Sequence, residues 1–464
     1  MKRTVALLVE PSIEYPILLP NTGMNLGLLR LAGAIRSNFP AIEPYFWSAQ
    51  INKAAKEIAN IQVKEFIELL KEISPKYCFI SALTCQIENA IRLCKIAHEF
   101  GVEVVVLGGV FATLVGDIAE KALQEFDYIV AGSGEAACIN IIRATETHSY
   151  IKKVINSPRQ GKIPNDTFSI TPDFSIFPHD IARSLELPAV MEFSRGCSNH
   201  CKFCTLVEKS RGMSYENPKC LASQEREFLE AGYRKAIICD DTFLYNKKKS
   251  ITQLEEMRKQ SGMGLSKTIM TRVDLITPEI VSLFKIYNVS EVIIGVEHVD
   301  GFMLKSMNKT ISPKVWRSKV IESLRLLSQN DIISHPIYML GWMGESQKTL
   351  DNLVNFAVTH GQHEKVQPFV SFCTPHPGSH IWKNRKDMGI ELFPASLSSY
   401  THLSPVAFPI TLGNKDKSLK LLVEAHNTIR IETNGFKRNP IINLDYPYIP
   451  STIEKLLIWD GEQK

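Results

Sequence analysis

Two successive runs of alternating strands and helices constrain the fold of this 464-residue chain more than any other feature. In residues 1–146, short apolar segments such as TVALLVEP and VEVVVLGG alternate with segments of helical apolar spacing. Continuous β-branched strands separated by amphipathic helices are typical of a parallel sheet that is buried on both faces. The pattern predicts an α/β domain, doubly wound, with a five-stranded parallel sheet.

A second alternation begins at residue 188, after a proline-punctuated segment (147–187) that we interpret as a linker. Its strand–helix units run to residue 380 and predict a partial (β/α)6 barrel, in which functional groups lie at the carboxyl ends of the strands. The pattern weakens in residues 381–464. We expect this short C-terminal mixed region to close the barrel mouth and to help shape the substrate pocket.

The composition indicates a cytoplasmic protein with no membrane span and no nucleic-acid partner. Charged residues make up 22% of the chain, the formal net charge is +4, and neither value gives a nucleic-acid footprint. No apolar run reaches the roughly 18 residues of a membrane helix. Of the 10 cysteines, three lie in one short segment, which suits a metal site in a reducing compartment better than a disulfide framework.

The segment RGCSNHCKFC follows the first strand of the second run and places Cys197, Cys201 and Cys204 at Cys-x3-Cys-x2-Cys spacing. Three thiolates can bind three irons of a 4Fe–4S cluster, whereas electron-transfer clusters use four, so one iron is left open. The alternatives are a structural zinc site that includes His200, a redox disulfide and simple burial of the thiols. Zinc sites usually pair two separated knuckles, and no second knuckle exists here. We therefore favour the cluster.

This spacing, with the aromatic Phe203 before the last cysteine, resembles the radical S-adenosylmethionine (SAM) superfamily. The resemblance implies that the amino and carboxylate groups of SAM chelate the open iron. It also implies that an external one-electron donor, such as flavodoxin or ferredoxin, reduces the cluster. SAM cleavage in that family yields a 5′-deoxyadenosyl radical, which abstracts a hydrogen atom from the substrate.

Later strand ends resemble the SAM-binding motifs of that family in the same order. They are CDDTF, TRVD and GVEH, followed by YMLGWMGES and PHPGS. Each motif alone is weak, because an arginine in TRVD can form a surface ion pair and the two aspartates can cap the next helix. Together they imply SAM contacts from Phe203, Asp240, Asp241, Arg272, Gly295 and Glu297.

The first domain resembles the cobalamin-binding domain that precedes many radical SAM domains. No GxGxxG opens its first strand–helix turn and no Walker A sequence is present, so a dinucleotide site is not predicted. The similar segments are PNTGMNLGLLRLAGAIR, ISALTCQIENA, LGGVFAT and AGSGEA, and small residues at such strand ends leave room for a flat corrin. The implied cobalamin contacts are Ser81, Thr84, Gly108, Gly109, Gly132, Gly134 and Glu135.

The chain departs from that cobalamin-binding pattern at two positions. Phe111 stands where the family often has histidine, and Ser133 stands where glutamate is common. His98 lies in a helix, and Ile96 occupies the position at which a cobalt-binding motif would have aspartate. We therefore expect cobalamin to bind without a protein histidine on cobalt.

Two reactions fit these motifs. The first is cobalamin-dependent methyl transfer to an unactivated carbon of a small-molecule, natural-product or peptide substrate. The second is a cobalamin-free dehydration, cyclisation or rearrangement, with the N-terminal domain as scaffold. A non-enzymatic cobalamin or metal sensor is disfavoured because no DNA-binding element is visible.

A methylthiotransferase is also disfavoured, because Cys78, Cys85 and Cys94 fit burial better than a second cluster. The substrate itself cannot be read from the motifs. Candidate pocket-lining side chains, each with core packing as the alternative role, are Trp342, Trp382, His376, His380 and Tyr400.

Overall fold

The computed structural model describes residues 3–13, 24–56, 61–116, 120, 123–157, 170–205, 213–393 and 395–434. Within these ranges it contains two six-stranded parallel sheets and two small two-stranded ones. The predicted α/β class is confirmed, with a doubly wound N-terminal sheet followed by a curled half-barrel. No helix in the described ranges combines the length and the apolarity needed to cross a membrane.

The N-terminal sheet has the strand order β2-β1-β3-β4-β5-β6, and every neighbouring pair is parallel. It has one strand more than predicted, because the segment interpreted as a linker contributes β6, which pairs with β5. At three residues, β6 is too short for its apolar pattern to stand out. The strands are β1 (Thr4–Glu10), β2 (Ile42–Ser48), β3 (Tyr77–Ser81), β4 (Val104–Gly108), β5 (Tyr128–Ala131) and β6 (Val154–Asn156).

Helices cover both faces of this sheet, because alternate strand residues enter two separate apolar clusters. Leu8 and Phe79 belong to one cluster, whereas Leu7 and Cys78 belong to the other. The helices are α1 (Leu26–Asn38), α2 (Ala49–Lys56), α3 (Ile61–Ile73), α4 (Ile87–Glu99), α5 (Gly109–Val115) and α6 (Gly134–Glu146).

The helix that follows β4 begins without a connecting loop. Helix α5 begins directly after β4 at Gly109 and ends at Val115, while residues 123–127 are not helical. Gly109 permits this sharp start because its φ is +90° and an added Cβ would lie 2.8 Å from the Ala82 amide nitrogen. Residues 117–119 and 121–122 lie outside the described ranges.

The connecting segment packs against both domains. Phe177 contacts Phe46 of the N-terminal sheet at a ring-centroid distance of 5.7 Å, and Phe174 contacts Phe228 of the barrel at 4.7 Å. A short helix, α7 (His179–Ser184), then leads into the barrel. Two prolines of the connecting segment, Pro158 and Pro164, lie outside the described residues.

The half-barrel has the strand order β14-β13-β12-β11-β10-β7, again all parallel. The first predicted strand is split, because β8 (Ser194–Arg195) leaves the sheet and pairs antiparallel with β9 (Ser214–Tyr215). The sheet strands are β7 (Ala189–Met191), β10 (Lys235–Ile238), β11 (Ser266–Arg272), β12 (Val289–Glu297), β13 (Ile333–Leu340) and β14 (Phe369–Phe372).

Helices connect these barrel strands and begin with regular caps, such as Asn217, Thr277 and Ser346, whose side chains accept main-chain N–H hydrogen bonds. The carboxyl ends of the strands therefore gather on one rim. The barrel helices are α8 (Pro218–Glu230), α9 (Lys247–Ser261), α10 (Pro278–Ile286), α11 (Gly301–Ser306), α12 (Pro313–Gln329) and α13 (Gln347–Gly361).

The C-terminal region packs on both domains as far as residue 434. Its described elements are α14 (His380–Asn384), β15 (Ile390–Leu392), β16 (Ala407–Pro409) and α15 (Lys415–Glu432). The His426 ring of α15 stacks on Phe372 of the barrel. Trp382 and Tyr400 are buried in an apolar cluster with side chains of the N-terminal domain. That this region closes the barrel mouth stays a prediction.

Candidate active site

The cysteine loop, residues 196–205, follows β8 at the rim of the half-barrel. Cys201 is buried, whereas Cys197 and Cys204 are half-buried. Asn199 Nδ2 donates to Cys197 Sγ at 3.3 Å, and the Cys204 amide donates to the Cys201 carbonyl at 3.0 Å. These contacts fold the three thiols into one short loop beside the barrel.

Barrel residues hold this loop from two sides. The Gly196 amide donates to Asp241 Oδ2 at 2.9 Å, so the predicted SAM contact Asp241 lies directly beneath the cysteines. On the other side, the Lys202 amide donates to the Met307 carbonyl at 2.9 Å, and Asn308 Nδ2 donates to the His200 carbonyl at 2.9 Å. The loop is thereby fixed to β10 and to the segment after β12.

Positive charge surrounds the buried thiol. Arg272 Nη1 lies 3.9 Å from Cys201 Sγ. Burial raises the pKa of Cys201, and the charges of Lys309 and Arg272 oppose that rise. Because cations stabilise thiolates, these two charges favour the form in which a cysteine binds metal.

The donor set consists of three thiols on one loop, and soft thiolates are the ligands of iron–sulfur clusters. Among the described residues, no three His, Cys, Asp or Glu side chains converge as ligands of one metal ion must. In a 4Fe–4S cluster each cysteine binds a different iron, so the thiols need only surround a common volume. Cys197, Cys201 and Cys204 are the residues that would hold such a cluster.

Three predicted SAM contacts meet around one buried lysine: they are Arg272, Gly295 and Glu297. Lys309 Nζ lies 3.0 Å from Glu297 Oε1, and Arg272 Nη2 donates to the Lys309 carbonyl at 2.8 Å. A Cβ on Gly295 would lie 2.8 Å from the same Nζ, so glycine leaves the lysine its room. Lys309 was not predicted, because it follows a short helix and does not lie at a strand end.

The aromatic ring of Phe203, another predicted SAM contact, lies beside this group. The Lys309 ammonium lies 5.7 Å from its centroid, and Trp342 packs edge-on at 6.3 Å. Arg272 also binds Asp274, its Nε donating to Oδ1 at 2.9 Å, so part of its guanidinium is already used by a neighbouring carboxylate. The roles of these residues toward SAM stay predictions.

A buried histidine ties two strand ends together beside this group. The Asp300 amide donates to His298 Nδ1 at 2.9 Å, which leaves Nε2 to donate to Glu345 Oε1 at 3.2 Å. Glu345 Oε2 accepts from the Gly341 amide at 2.6 Å. The loops after β12 and β13 are therefore fixed to each other by one carboxylate.

Asp240 is committed to the main chain that leads into the cysteine loop. Its Oδ1 accepts from the Phe193 and Ser194 amides at 2.7 and 3.0 Å, and its Oδ2 accepts from Ser194 Oγ at 2.5 Å. The residue is only 1% exposed. Since both oxygens serve the turn between β7 and β8, the geometry shows a positioning role, and contact with SAM stays a prediction.

Asp240 should make stability depend on pH. Burial raises its pKa to about 7, against about 3.9 in an unfolded chain. Between these values the folded state holds a proton that the unfolded state has lost, so this contribution to stability falls as pH rises. We expect the unfolding free energy of Asp240→Asn, measured relative to that of wild type in denaturant titrations, to rise from pH 5 to pH 8. A difference that does not change with pH would contradict this.

A cavity of about 430 Å³ lies between the N-terminal sheet and the barrel rim. Strand ends of the first domain line one side, and Glu192, Arg195 and Asp241 of the barrel line the other. Thr84 is not in the lining, because it is buried against His376, with Oγ1 3.2 Å from Nδ1. The predicted cobalamin contacts that do line it are Ser81, Gly108, Gly109, Gly132, Gly134 and Glu135.

The lining suits a flat, amide-rich ligand. A Cβ added to Gly108 would meet no atom within 4 Å and would project into open space. Ser133 Oγ is buried without a hydrogen-bond partner. The described lining contains carboxylates and no histidine, and His98 is exposed on α4, where its Nε2 lies 3.2 Å from the Glu125 carbonyl. Corrin side-chain amides could therefore donate to the wall, and Phe111 is buried in the core away from it.

An unpredicted buried carboxyl also lines this cavity. Glu10 ends β1, and its Oε2 accepts from Ser48 Oγ at 2.5 Å while Oε1 lies 3.5 Å from Asn25 Nδ2. Burial raises the pKa of Glu10, and these two hydrogen bonds oppose the rise. Residues such as Glu10 give no sequence signal, because a single acidic residue after a strand is common.

A buried network of ion pairs joins the two domains at the edge of the cavity. Arg195 Nη1 binds Glu135 Oε1 of the N-terminal domain at 3.0 Å, and its Nε binds Glu192 at 2.8 Å. Glu192 also accepts from Arg30 Nη2 of α1 at 3.0 Å, and the same nitrogen lies 3.4 Å from Glu216. Arg195 lies two residues before the first cluster cysteine, so this network fixes the cysteine loop against the first domain.

None of the five proposed pocket-lining side chains lines the interdomain cavity in the described structure. Trp342 is buried and donates from Nε1 to Ser306 Oγ at 2.9 Å, so it packs in the core. Trp382 and Tyr400 are core residues as well, and His380 is exposed on α14. The half-buried His376 joins the Pro-Gly turn after β14 to the N-terminal domain.

Comparison with known proteins agrees with this geometry. Residues 191–357 match the family model described as the Radical SAM superfamily. An uncharacterized methyltransferase of Pyrococcus horikoshii is 24% identical over 431 residues, which cover 88% of each chain. An anaerobic magnesium-protoporphyrin IX monomethyl ester cyclase of Rubrivivax gelatinosus is 25% identical over 77% of this chain and 66% of its own.

Two solved structures share the whole two-domain fold. The radical SAM methyltransferase TsrM of Kitasatospora setae superposes with a TM-score of 0.69 over 91% of this chain and 88% of its own, at 14% identity. The cobalamin-dependent radical SAM enzyme OxsB superposes with a TM-score of 0.62 over 95% of this chain and 57% of its own, also at 14% identity. At such identities the likeness concerns the fold alone.

Proposed function

Because this chain belongs to the radical SAM superfamily, we propose that it is a cobalamin-dependent methyltransferase that acts on an unactivated carbon of a small-molecule, natural-product or peptide substrate. Membership implies a 4Fe–4S cluster and SAM as cofactors. When bound, these groups supply radical chemistry, and cobalamin would supply a methyl group. The cavity between the glycine-lined edge of the first sheet and the cysteine-bearing rim of the barrel carries the proposal.

The barrel side and the sheet side of the cavity contribute different groups. On the barrel side, Asp241 lines the cavity and holds the Gly196 amide, while Arg272 and Lys309 lie outside the lining and keep positive charge beside Cys201. On the sheet side, Gly108 leaves open space and Ser133 offers an unpartnered hydroxyl. Both walls face one volume, so a ligand bound on the sheet would lie next to the rim where SAM is expected. Structures of TsrM and OxsB that contain cobalamin support this assignment.

A cobalamin-free reaction is the second candidate. Relatives named as cyclases match much of the chain, and Phe111 replaces the histidine that is frequent in cobalamin-binding domains. In this alternative the N-terminal domain would act as a scaffold and the reaction would be a dehydration, cyclisation or rearrangement. Cobalt content separates the two candidates directly.

We expect the wild-type protein, purified anaerobically with hydroxocobalamin and reconstituted with iron and sulfide, to retain cobalt close to one equivalent. Gly108→Leu should weaken cobalamin retention by about tenfold or more, because overpacking costs 1–3 kcal/mol and 1.4 kcal/mol is a tenfold change. Gly108 has an extended backbone, so leucine fits there without backbone strain. Iron content should stay at the wild-type level.

The matched control is Gly301→Leu, since Gly301 starts α11 outside the cavity and its nearest neighbour to an added Cβ is Pro313 at 3.7 Å. This variant should bind cobalamin like wild type. A wild-type protein that retains iron but no cobalt would place the cobalamin-free reaction first. Absence of iron–sulfur absorbance, or of SAM cleavage with a reductant, would overturn the radical SAM assignment as a whole.

A further inference from the structure

An exposed apolar surface lies on the segment formed by α11 and the start of α12. Phe302 is 65% exposed, Ile311 is 100% exposed and Val315 is 46% exposed. A Cβ on Gly301 would lie 3.7 Å from the Pro313 Cβ, so the starts of the two helices lie side by side. Large apolar side chains grouped on a surface are typical of interaction sites.

This surface is continuous with the cysteine loop. Lys202 lies between two of the cluster cysteines, is exposed, and donates its amide to the Met307 carbonyl at 2.9 Å. Asn308 Nδ2 donates to the His200 carbonyl at 2.9 Å. A protein bound to α11 and α12 would therefore also contact the outer side of this loop.

The opposite side of the loop is already occupied. Asp241 holds the Gly196 amide there, and Arg195 binds Glu135 of the N-terminal domain at 3.0 Å. The exposed loop residues, Ser198, His200 and Lys202, consequently share solvent with α11 and α12. Another protein can therefore reach the exposed residues of the cysteine loop from the side of α11 and α12.

The charged side chains of the two helices that form this surface are basic as far as residue 321. Residues 301–321 contain five Lys or Arg and no Asp or Glu, and the cysteine loop (196–205) also lacks acidic residues. Lys305 and Lys314 are exposed, whereas Lys309 is buried against Glu297. The preceding Asp300 is used as the cap of α11, its Oδ1 accepting from the Phe302 and Met303 amides. We define the lysine-rich face by Lys202, Phe302, Lys305, Ile311, Lys314 and Val315.

We propose that the lysine-rich face docks an acidic one-electron carrier protein of the flavodoxin or ferredoxin type, the partner that supplies the reducing electron. The proposal rests on the proposed radical SAM function. In this step the carrier loses one electron and the cluster gains one, with no bond made or broken in the protein. A basic apolar face beside the thiolate loop complements an acidic carrier, and opposite charge steers such encounters.

Binding is the primary test. We expect the reconstituted wild type to bind oxidised flavodoxin in interferometry, with an affinity that falls as salt is raised. Lys305→Glu/Lys314→Glu should weaken binding by about tenfold and remove most of the salt dependence. Ile311→Ser should weaken binding while leaving the salt dependence unchanged. The control is Lys259→Glu/Lys285→Glu, which changes the same charge in exposed last-turn positions of α9 and α10, at the other end of the barrel.

A second measurement separates docking from chemistry. The charge-reversed variant should cleave SAM like wild type with dithionite, and should need about tenfold more reduced flavodoxin for half-maximal rate. Equal binding and equal flavodoxin dependence in both double variants would overturn the proposal, as would a wild type that neither flavodoxin nor ferredoxin binds. Loss of self-association, in place of loss of carrier binding, would show that a second copy of the chain covers this face. Failure of the wild type to cleave SAM with dithionite would instead count against the proposed function.

Discussion

Cys201→Ala should lower SAM cleavage to the level of a protein-free control and should abolish iron–sulfur absorbance after anaerobic reconstitution. Cys201 is the buried thiol of the loop, and Arg272 and Lys309 place their charges beside it. With one of three protein ligands removed, the remaining thiols cannot hold a cluster that already leaves one iron open. Iron and sulfide assays and the yield of 5′-deoxyadenosine measure the two effects separately.

Cys220→Ala is the control for this experiment. Cys220 is half-buried on α8 and lies outside the cysteine loop, so its loss should leave iron content and SAM cleavage unchanged. If Cys201→Ala kept a full complement of iron and normal cleavage, the assignment of the loop as the cluster site would be wrong.

Arg30→Met should strongly destabilise the folded protein. Arg30 is 1% exposed, and its guanidinium contacts Glu192, Glu216 and the Ile170 carbonyl. Removing one partner of a buried ion pair typically costs about 3–5 kcal/mol, because the other charge stays buried without compensation. Urea denaturation followed by circular dichroism measures the loss.

Arg36→Met on the same helix is the matched control. Arg36 pairs with Asp173 at 2.6 Å but is half-exposed, so its loss should cost about 0–1 kcal/mol. The cost of Arg30→Met should also depend on pH. Burial raises the pKa of Glu216 and Arg30 opposes that rise, so without Arg30 the folded carboxyl binds a proton more readily.

At neutral pH the Glu216 carboxyl is deprotonated in the unfolded chain, whereas in the folded variant it binds a proton more readily. The destabilisation by Arg30→Met should therefore be smaller at pH 5 than at pH 8. Adding Glu216→Gln should recover part of the loss at pH 8. Equal destabilisation at both values would mean that lost packing of the arginine side chain, and not the unpaired carboxylate, causes the effect.

The sequence was sufficient for features that repeat locally. Apolar runs located the strands, and the cysteine spacing located the loop at the first strand end of the barrel. The resemblance to known families singled out Asp241 and Glu135, and both line the interdomain cavity, where strand ends of parallel sheets meet. Their contacts with SAM and cobalamin stay predictions. Each of these signals lies within a few residues of the feature that it predicts.

Features that depend on contacts between distant segments were missed. Arg30 gives no pattern in an apolar helix, yet it binds Glu216, 186 positions later. Lys309 reaches Glu297 only because the chain turns back after α11. The strand β6 is defined by its pairing with β5 more than by its own residues. The role of Asp240 could not be predicted either, since an acidic residue at a strand end can bind a ligand or main-chain amides of the same protein.

The ion pairs between Arg195 and Glu135, and between Arg30 and Glu192, bear on how this chain could be recombined with its relatives. Each pair has one member in either domain, so a chimaera cut in the connecting segment would inherit half of every pair. Unless the recipient supplied the matching charges, it would carry buried, unpaired ions at the new seam. The practical unit for engineering new substrate range is therefore the two domains together, with exchange restricted to the loops that leave these four side chains in place.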